Sequence, residues 1–158
     1  MSNQNAAECC PEFKRESWDG KEIHWQDKRF LKDHVRSVFH IPLNFGKVMA
    51  RDMAQIEAAG AASEERLVLS DENSLWGSDV FVETSKDVPG AEMAFITGDY
   101  LSKVFEGPYS KMQSFVSQMK AYVQAQGKKI EKMYFYYPYC PDCAKKYGKN
   151  YVGILAQV

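Results

Sequence analysis

The sequence predicts a single α+β domain: duplicated βαββ units forming a shared antiparallel sheet, with two helices on one face and a ligand cleft on the other. Three observations predict it. The 158 residues suit one domain. Val38-Phe39-x-x-Pro42 recurs as Val104-Phe105-x-x-Pro108, 66 residues later. Each copy is followed by a helical apolar stripe and then by two alternating segments.

The elements follow in order. Residues 1–27 read as an N-terminal extension, 28–90 as repeat 1 and 91–158 as repeat 2. Phe30 to Ile41 alternates as a strand, with Leu31, Val35, Phe39 and Ile41 on one face and Phe30, His34, Val38 and His40 on the other. Asn44 stands at an N-cap position. Phe45, Val48, Met49, Met53 and Ile56 follow at helical spacing, and Gly60 suits the helix end. Leu67 and Leu69 mark one short strand, Val80 and Val82 the next, and Asp71-Glu72-Asn73-Ser74 carries turn chemistry between them. In repeat 2, Met93 to Phe105 reads as strand, with a bulge or tight turn at Gly98-Asp99. Pro108 opens a helix whose stripe is Met112, Phe115, Val116, Met119, Tyr122 and Val123, closed by Gly127. Residues 131–137 and 150–158 read as strands around a polar loop.

Composition excludes several classes. Twenty Lys+Arg balance 21 Asp+Glu, so the chain lacks the basic excess of a dedicated nucleic-acid binder. No segment approaches the ~20 apolar residues of a membrane span. The polar start, MSNQNAAECC, is not a secretory signal, and a cytoplasmic location is expected. The phosphate-loop, dinucleotide, serine-hydrolase and zincin motifs are all missing.

Alternation also nominates a site. With Val80 and Val82 turned to the helix, Asp79, Phe81 and Glu83 take the open face. With Met133 and Phe135 in the core, Tyr134 and Tyr136 face the cleft. Val152, Ile154, Ala156 and Val158 face the core, and Tyr151 the cleft. Trp76 and His40 complete the expected lining. The result is an aromatic box with one carboxylate, Glu83, suited to a lipophilic cation or to general acid–base work. Each residue also has a plainer reading: a solvated strand glutamate and tyrosines that cover a sheet.

The segment Gly98-Asp99-Tyr100-x-x-x-Val104-Phe105-Glu106-Gly107-Pro108-Tyr109, with its amphipathic helix, resembles the second repeat of GyrI-like small-molecule-binding domains. Tyr134-Phe135-Tyr136-Tyr137 and the run from Cys140 to Tyr151 (CPDCAKKYGKNY) resemble a stand-alone, hydrolase-like bacterial branch of that superfamily. The resemblance spans about residues 28–158. It implies either ligand reception by a glutamate among aromatic rings or hydrolysis of cyclopropane-bearing alkylating agents through a Glu/Tyr pair. The strand that carries the sensor glutamate in that superfamily reads Met133-Tyr134-Phe135-Tyr136-Tyr137 here, without an acid, so Glu83 is the expected substitute.

Cys9-Cys10 and Cys140-x-x-Cys143 hold all four cysteines. Free thiols or a transient disulfide, a structural zinc with His24 in reserve, and redox catalysis are the open readings. The last is ranked lowest because no helix is expected after Cys143. A zinc clip would lay Trp18 and Trp25 over the domain as a lid. The expected function is binding of hydrophobic, aromatic or cationic small molecules. A hydrolase using Glu83 with Tyr134 or Tyr136 is the alternative, and a gyrase-modulator-like interaction module the third reading.

Overall fold

The structure, a computed structural model, describes residues 13–38, 41–42, 45–63, 67–74, 77–138 and 141–158. Its elements run β1 (Lys21–Val38), β2 (Ile41–Pro42), α1 (Phe45–Ala58), β3 (Val68–Ser74), β4 (Gly77–Glu83), β5 (Glu92–Glu106), α2 (Met112–Ala125), β6 (Lys132–Tyr136), α3 (Pro141–Tyr147) and β7 (Tyr151–Gln157). Single 3-10 turns occupy Arg15–Ser17 and Tyr109–Lys111. This is the mixed helix-and-sheet fold expected. The chain forms two compact units: His24–Gly98, and Asp99–Val158 with the N-terminal residues through Ile23. Among the described residues no helix is long and apolar enough to cross a membrane.

In the His24–Gly98 unit, β1 pairs antiparallel with β4, and β4 with β3. Alternation sorts the side chains as expected. Leu31 and Val82 are register partners and pack with Ile56 of α1, while Val35 and Val80 meet Val48. Helix α1 closes on Gly60, whose φ of 63° suits a residue without a Cβ. There the Ala61 N–H reaches back to the Ile56 carbonyl at 2.9 Å, the six-to-one bond of a glycine-terminated helix.

In the other unit, β5 pairs with β7 and β7 with β6, again antiparallel. Leu101, Phe105, Phe135, Val152, Ile154 and Ala156 bury one face against Phe115, Met119 and Val123 of α2. Phe105 and Phe115 stack with ring centroids 5.1 Å apart. Each of these side chains larger than alanine contributes about 1.5–3 kcal/mol. Helix α2 closes on Gly127 with the same six-to-one bond, Lys128 N–H to the Val123 carbonyl at 3.3 Å.

Four expectations need correction. Strand β1 begins at Lys21, so residues 21–27 belong to the sheet and not to an extension. Asp71 to Ser74 form no turn: they stay in β3, which absorbs its polar composition as a register shift between Asp71 and Ser74. Gly98 does not reverse the chain, since β5 runs through it from Glu92 to Glu106. The polar loop after β6 contains helix α3, started by Pro141 with its φ preset for a first helical turn. Cys143 lies on that helix, so the reason given for ranking redox chemistry last does not hold.

One buried charge pair ties α1 to β1. Asp52 is 1% exposed, and its carboxyl lies against Asp33, which also accepts from Arg51 and from the His34 N–H at 2.8 Å. Burial, then the hydrogen bond with Asp33 and its charge, push Asp52 up to about 7. For Asp33 burial acts upward, but the hydrogen bonds from Asp52, Arg51 and His34 hold it below the ordinary range. The two carboxyls therefore share one proton at mildly acidic pH. Asp52 binds its proton more tightly folded than unfolded, so stability is highest near pH 4–5 and falls as pH rises through 7. The melting temperature is expected to be higher at pH 5 than at pH 8, on the order of 5 °C. Asp52→Asn, a neutral donor at every pH, should flatten that difference. An unchanged pH slope in the variant would refute the shared proton.

Candidate functional site

In the unit containing β5, β6 and β7, the face opposite α2 carries Tyr100, Ser102, Val104, Tyr134, Tyr136, Tyr151 and Gly153, as strand alternation requires. Tyr136 and Gly153 are register partners. Tyr136 lies flat on that glycine: a Cβ at 153 would overlap its ring carbons Cε1 and Cζ. The glycine sets the ring height, and the ring sets the hydroxyl.

Residues 13–19 cover this face as a strap. The Arg15 guanidinium donates to the Val104 carbonyl at 3.2 Å, and the Val104 N–H donates to Asp19 Oδ1 at 3.0 Å. Side chains of the strap thus occupy both backbone groups of one strand residue. Trp18 packs on Tyr136 at 5.3 Å between centroids, and Phe13 on Tyr136 at 6.0 Å and on Tyr151 at 5.4 Å. Ala144 and Tyr147 of α3 join Val104 and Tyr151 in the same cluster. Trp18, expected against the domain, packs on Tyr136.

Under these rings two polar atoms are stranded. Tyr136 is 2% exposed and Ser102 is fully buried. The hydroxyls lie near one another, but among the described residues neither makes a hydrogen bond of good geometry. Burial drives the Tyr136 phenol well above its usual range, the negative Asp19 adds to this, and only Ser102 acts the other way. Tyr136 is thus a permanent O–H donor at any working pH. Farther along the face, Tyr100 and Tyr134 are 6.1 Å apart, with Lys132 Nζ 5.1 Å from the Tyr134 ring. Burial and Tyr134 push Tyr100 up to about 12.

The remaining nominated residues lie elsewhere. Glu83 and Phe81 are in the His24–Gly98 unit. Glu83 is not the lone acid expected: Lys28 Nζ sits 2.9 Å from Oε1, and the Leu67 N–H approaches Oε2 at 3.4 Å. Phe81 is buried edge-on to Phe30, and Trp25 packs on Phe30 beneath Lys28. Glu83 thus keeps an aromatic setting, but its charge already has a partner. His40, Trp76, Cys9, Cys10 and Cys140 lie outside the described residues, as does the Cys143 side chain. Among the described residues no group of three or more His, Cys, Asp or Glu could hold a metal. Sequence reasoning missed Phe13, Asp19 and Ser102. Ser102 was accessible to it, being two residues from both Tyr100 and Val104 on the same strand face.

The bacterial hydrolase family matches residues 1–158. The chain belongs to that family. Three solved structures from Listeria innocua share the fold of this family member. One, a hydrolase, aligns at TM-score 0.62 and 11% identity over 93% of both chains. A second hydrolase aligns at 0.60 and 10% identity over 89% of this chain and 93% of its own. An uncharacterized conserved protein aligns at 0.59 and 12% identity over 90% and 93%. At such identities the likeness establishes fold alone. None of the curated proteins matches the chain.

The Tyr136–Gly153 contact yields a sharp expectation. Gly153→Ala should destabilise the fold by roughly 1–3 kcal/mol through overpacking. Combining it with Tyr136→Ala should cost clearly less than the sum of the two single changes, read by urea denaturation. Strict additivity would mean that the ring does not rest on the glycine.

Proposed function

We propose that the protein is a hydrolase for an uncharged, hydrophobic small-molecule electrophile, with the Tyr136 hydroxyl as a hydrogen-bond donor to the oxygen that gains charge. The observation that carries this reading is the stranded Tyr136 hydroxyl, buried among rings and held protonated. An enzyme gains from such a donor because, in a water-excluded setting, it acts most strongly where charge develops during reaction. Family membership supports the reaction type. The strained natural products suggested by the GyrI-like resemblance are one candidate class, and simple esters another. The repeated βαββ order, with the first strand beside the last and the last beside the middle one in each unit, supports a duplicated origin.

The alternative of cation reception is less well supported, since Lys28 already balances Glu83. Within its own unit Glu83 remains a candidate water-activating base, because a carboxylate whose second oxygen has only a 3.4 Å contact can still accept a proton from water. Asp19 is the second carboxylate to test, being the one whose charge reaches Tyr136. Tyr134 is proposed to line the substrate's path.

Turnover of p-nitrophenyl esters and of a strained cyclopropane electrophile is the direct assay. Tyr136→Phe should lower kcat about 100-fold or more with little change in KM. Glu83→Gln and Asp19→Asn, assayed separately, assign the base: the correct one loses turnover while retaining substrate binding. Full activity in Tyr136→Phe would overturn the proposal.

A further inference from the structure

We infer that Ser102 and Tyr136 together form a two-donor niche for a neutral oxygen acceptor, the carbonyl oxygen of an ester, lactone or amide. The inference deepens the hydrolase reading and rests on it for the reaction, though not for the binding. Both oxygens are buried and without a well-formed hydrogen bond among the described residues. A buried hydroxyl left without a partner costs on the order of 1–3 kcal/mol. Two such groups side by side therefore mark a place where an acceptor lowers the energy of the whole cluster.

The surroundings select the acceptor's chemistry. Phe13, Trp18 and Val104 are apolar, and the nearby Arg15 and Asp19 are paired with each other and with the Val104 backbone, so an ionised ligand would be desolvated with little compensation. The nearby Asp19 adds repulsion against an anion. Hydroxyls can also accept, but the phenol's O–H is here the fixed donor, which leaves the serine to turn its own proton toward the same point. A carbonyl oxygen, with two lone pairs, satisfies both. The rings around it fit an acyl or aryl group attached to that carbonyl. Entry follows when residues 13–19 lift from β5, breaking the two bonds to Val104.

The test uses two probes of one shape: butyl phenyl ketone, which cannot be hydrolysed, and pentylbenzene, which lacks the oxygen. Binding is read by tryptophan fluorescence, since Trp18 packs directly on Tyr136. The intact protein is expected to bind the ketone about tenfold more tightly than the hydrocarbon. Tyr136→Phe should abolish that preference and Ser102→Ala should reduce it severalfold, with pentylbenzene affinity unchanged in both. Equal affinities in the intact protein, or a full ketone preference in Ser102→Ala, would overturn the niche and leave two hydroxyls served by water. The two proposals fail separately. A ketone preference in a protein that turns over no ester keeps the niche and removes the hydrolase. Ester turnover unaltered by Ser102→Ala does the reverse.

Discussion

A ring lying on a glycine organises the candidate site. Tyr136 occupies the space above Gly153 that any side chain would fill, and this fixes where its hydroxyl stands. Everything else on that face is arranged about the ring. Trp18 and Phe13 close over it, Tyr151 lies against Phe13, and Ser102 comes close to its oxygen. The arrangement is possible because strands alternate. Apart from Lys103, whose Nζ lies over the Tyr122 ring of α2, the residues between these on β5, β6 and β7 are aliphatic or phenylalanine and pack against α2. One face thus supplies the stability that lets the other hold groups that stability alone would not favour.

The carboxylates show a different economy. Glu83 is paired with Lys28, Asp19 holds a backbone N–H, and Asp52 shares its environment with Asp33. Each of the three is already engaged, although the charge of Asp19 still reaches Tyr136. A cation receptor relies on an unbalanced negative charge, whereas a hydrolase requires only that one carboxylate can take a proton from water. The charge distribution therefore supports the catalytic reading over the sensing one for a physical reason separate from family membership.

Much of this was legible in the sequence. The faces of β4, β6 and β7, the stripes of α1 and α2 and their closing glycines all follow from periods of two and of about 3.6 residues, which local patterning records. What escaped depends on contacts distant along the chain. Phe13 and Trp18 meet Tyr136 only through folding, and no spacing rule links them. Asp71 to Ser74 carry turn composition, but pairing with β4 overrides it. Helix α3 has seven residues, too few for a readable stripe. Lys28 stands two positions before Phe30, the residue opposite Glu83 in the folded sheet. Its ion pair could not be inferred from alternation.

The stranded hydroxyls bear on why this face is built as it is. Phenylalanine at 136 and alanine at 102 would fill nearly the same space and remove two desolvated polar atoms. Structure alone thus gives no reason for either oxygen, and the packing around them is too close to attribute them to a loosely filled region. A group that costs folding energy and has no well-formed hydrogen bond among the described residues is accounted for when it acts on something that arrives later. The strap explains how that can happen in a buried place. Arg15 and Asp19 tie it to β5 at Val104, and Phe13 and Trp18 pack on rings of the face opposite α2, so its release leaves the core against α2 in place. Donors kept dry under a releasable cover cost no reorganisation when the acceptor binds, and this is the condition under which hydrogen bonds to a developing negative charge are strongest.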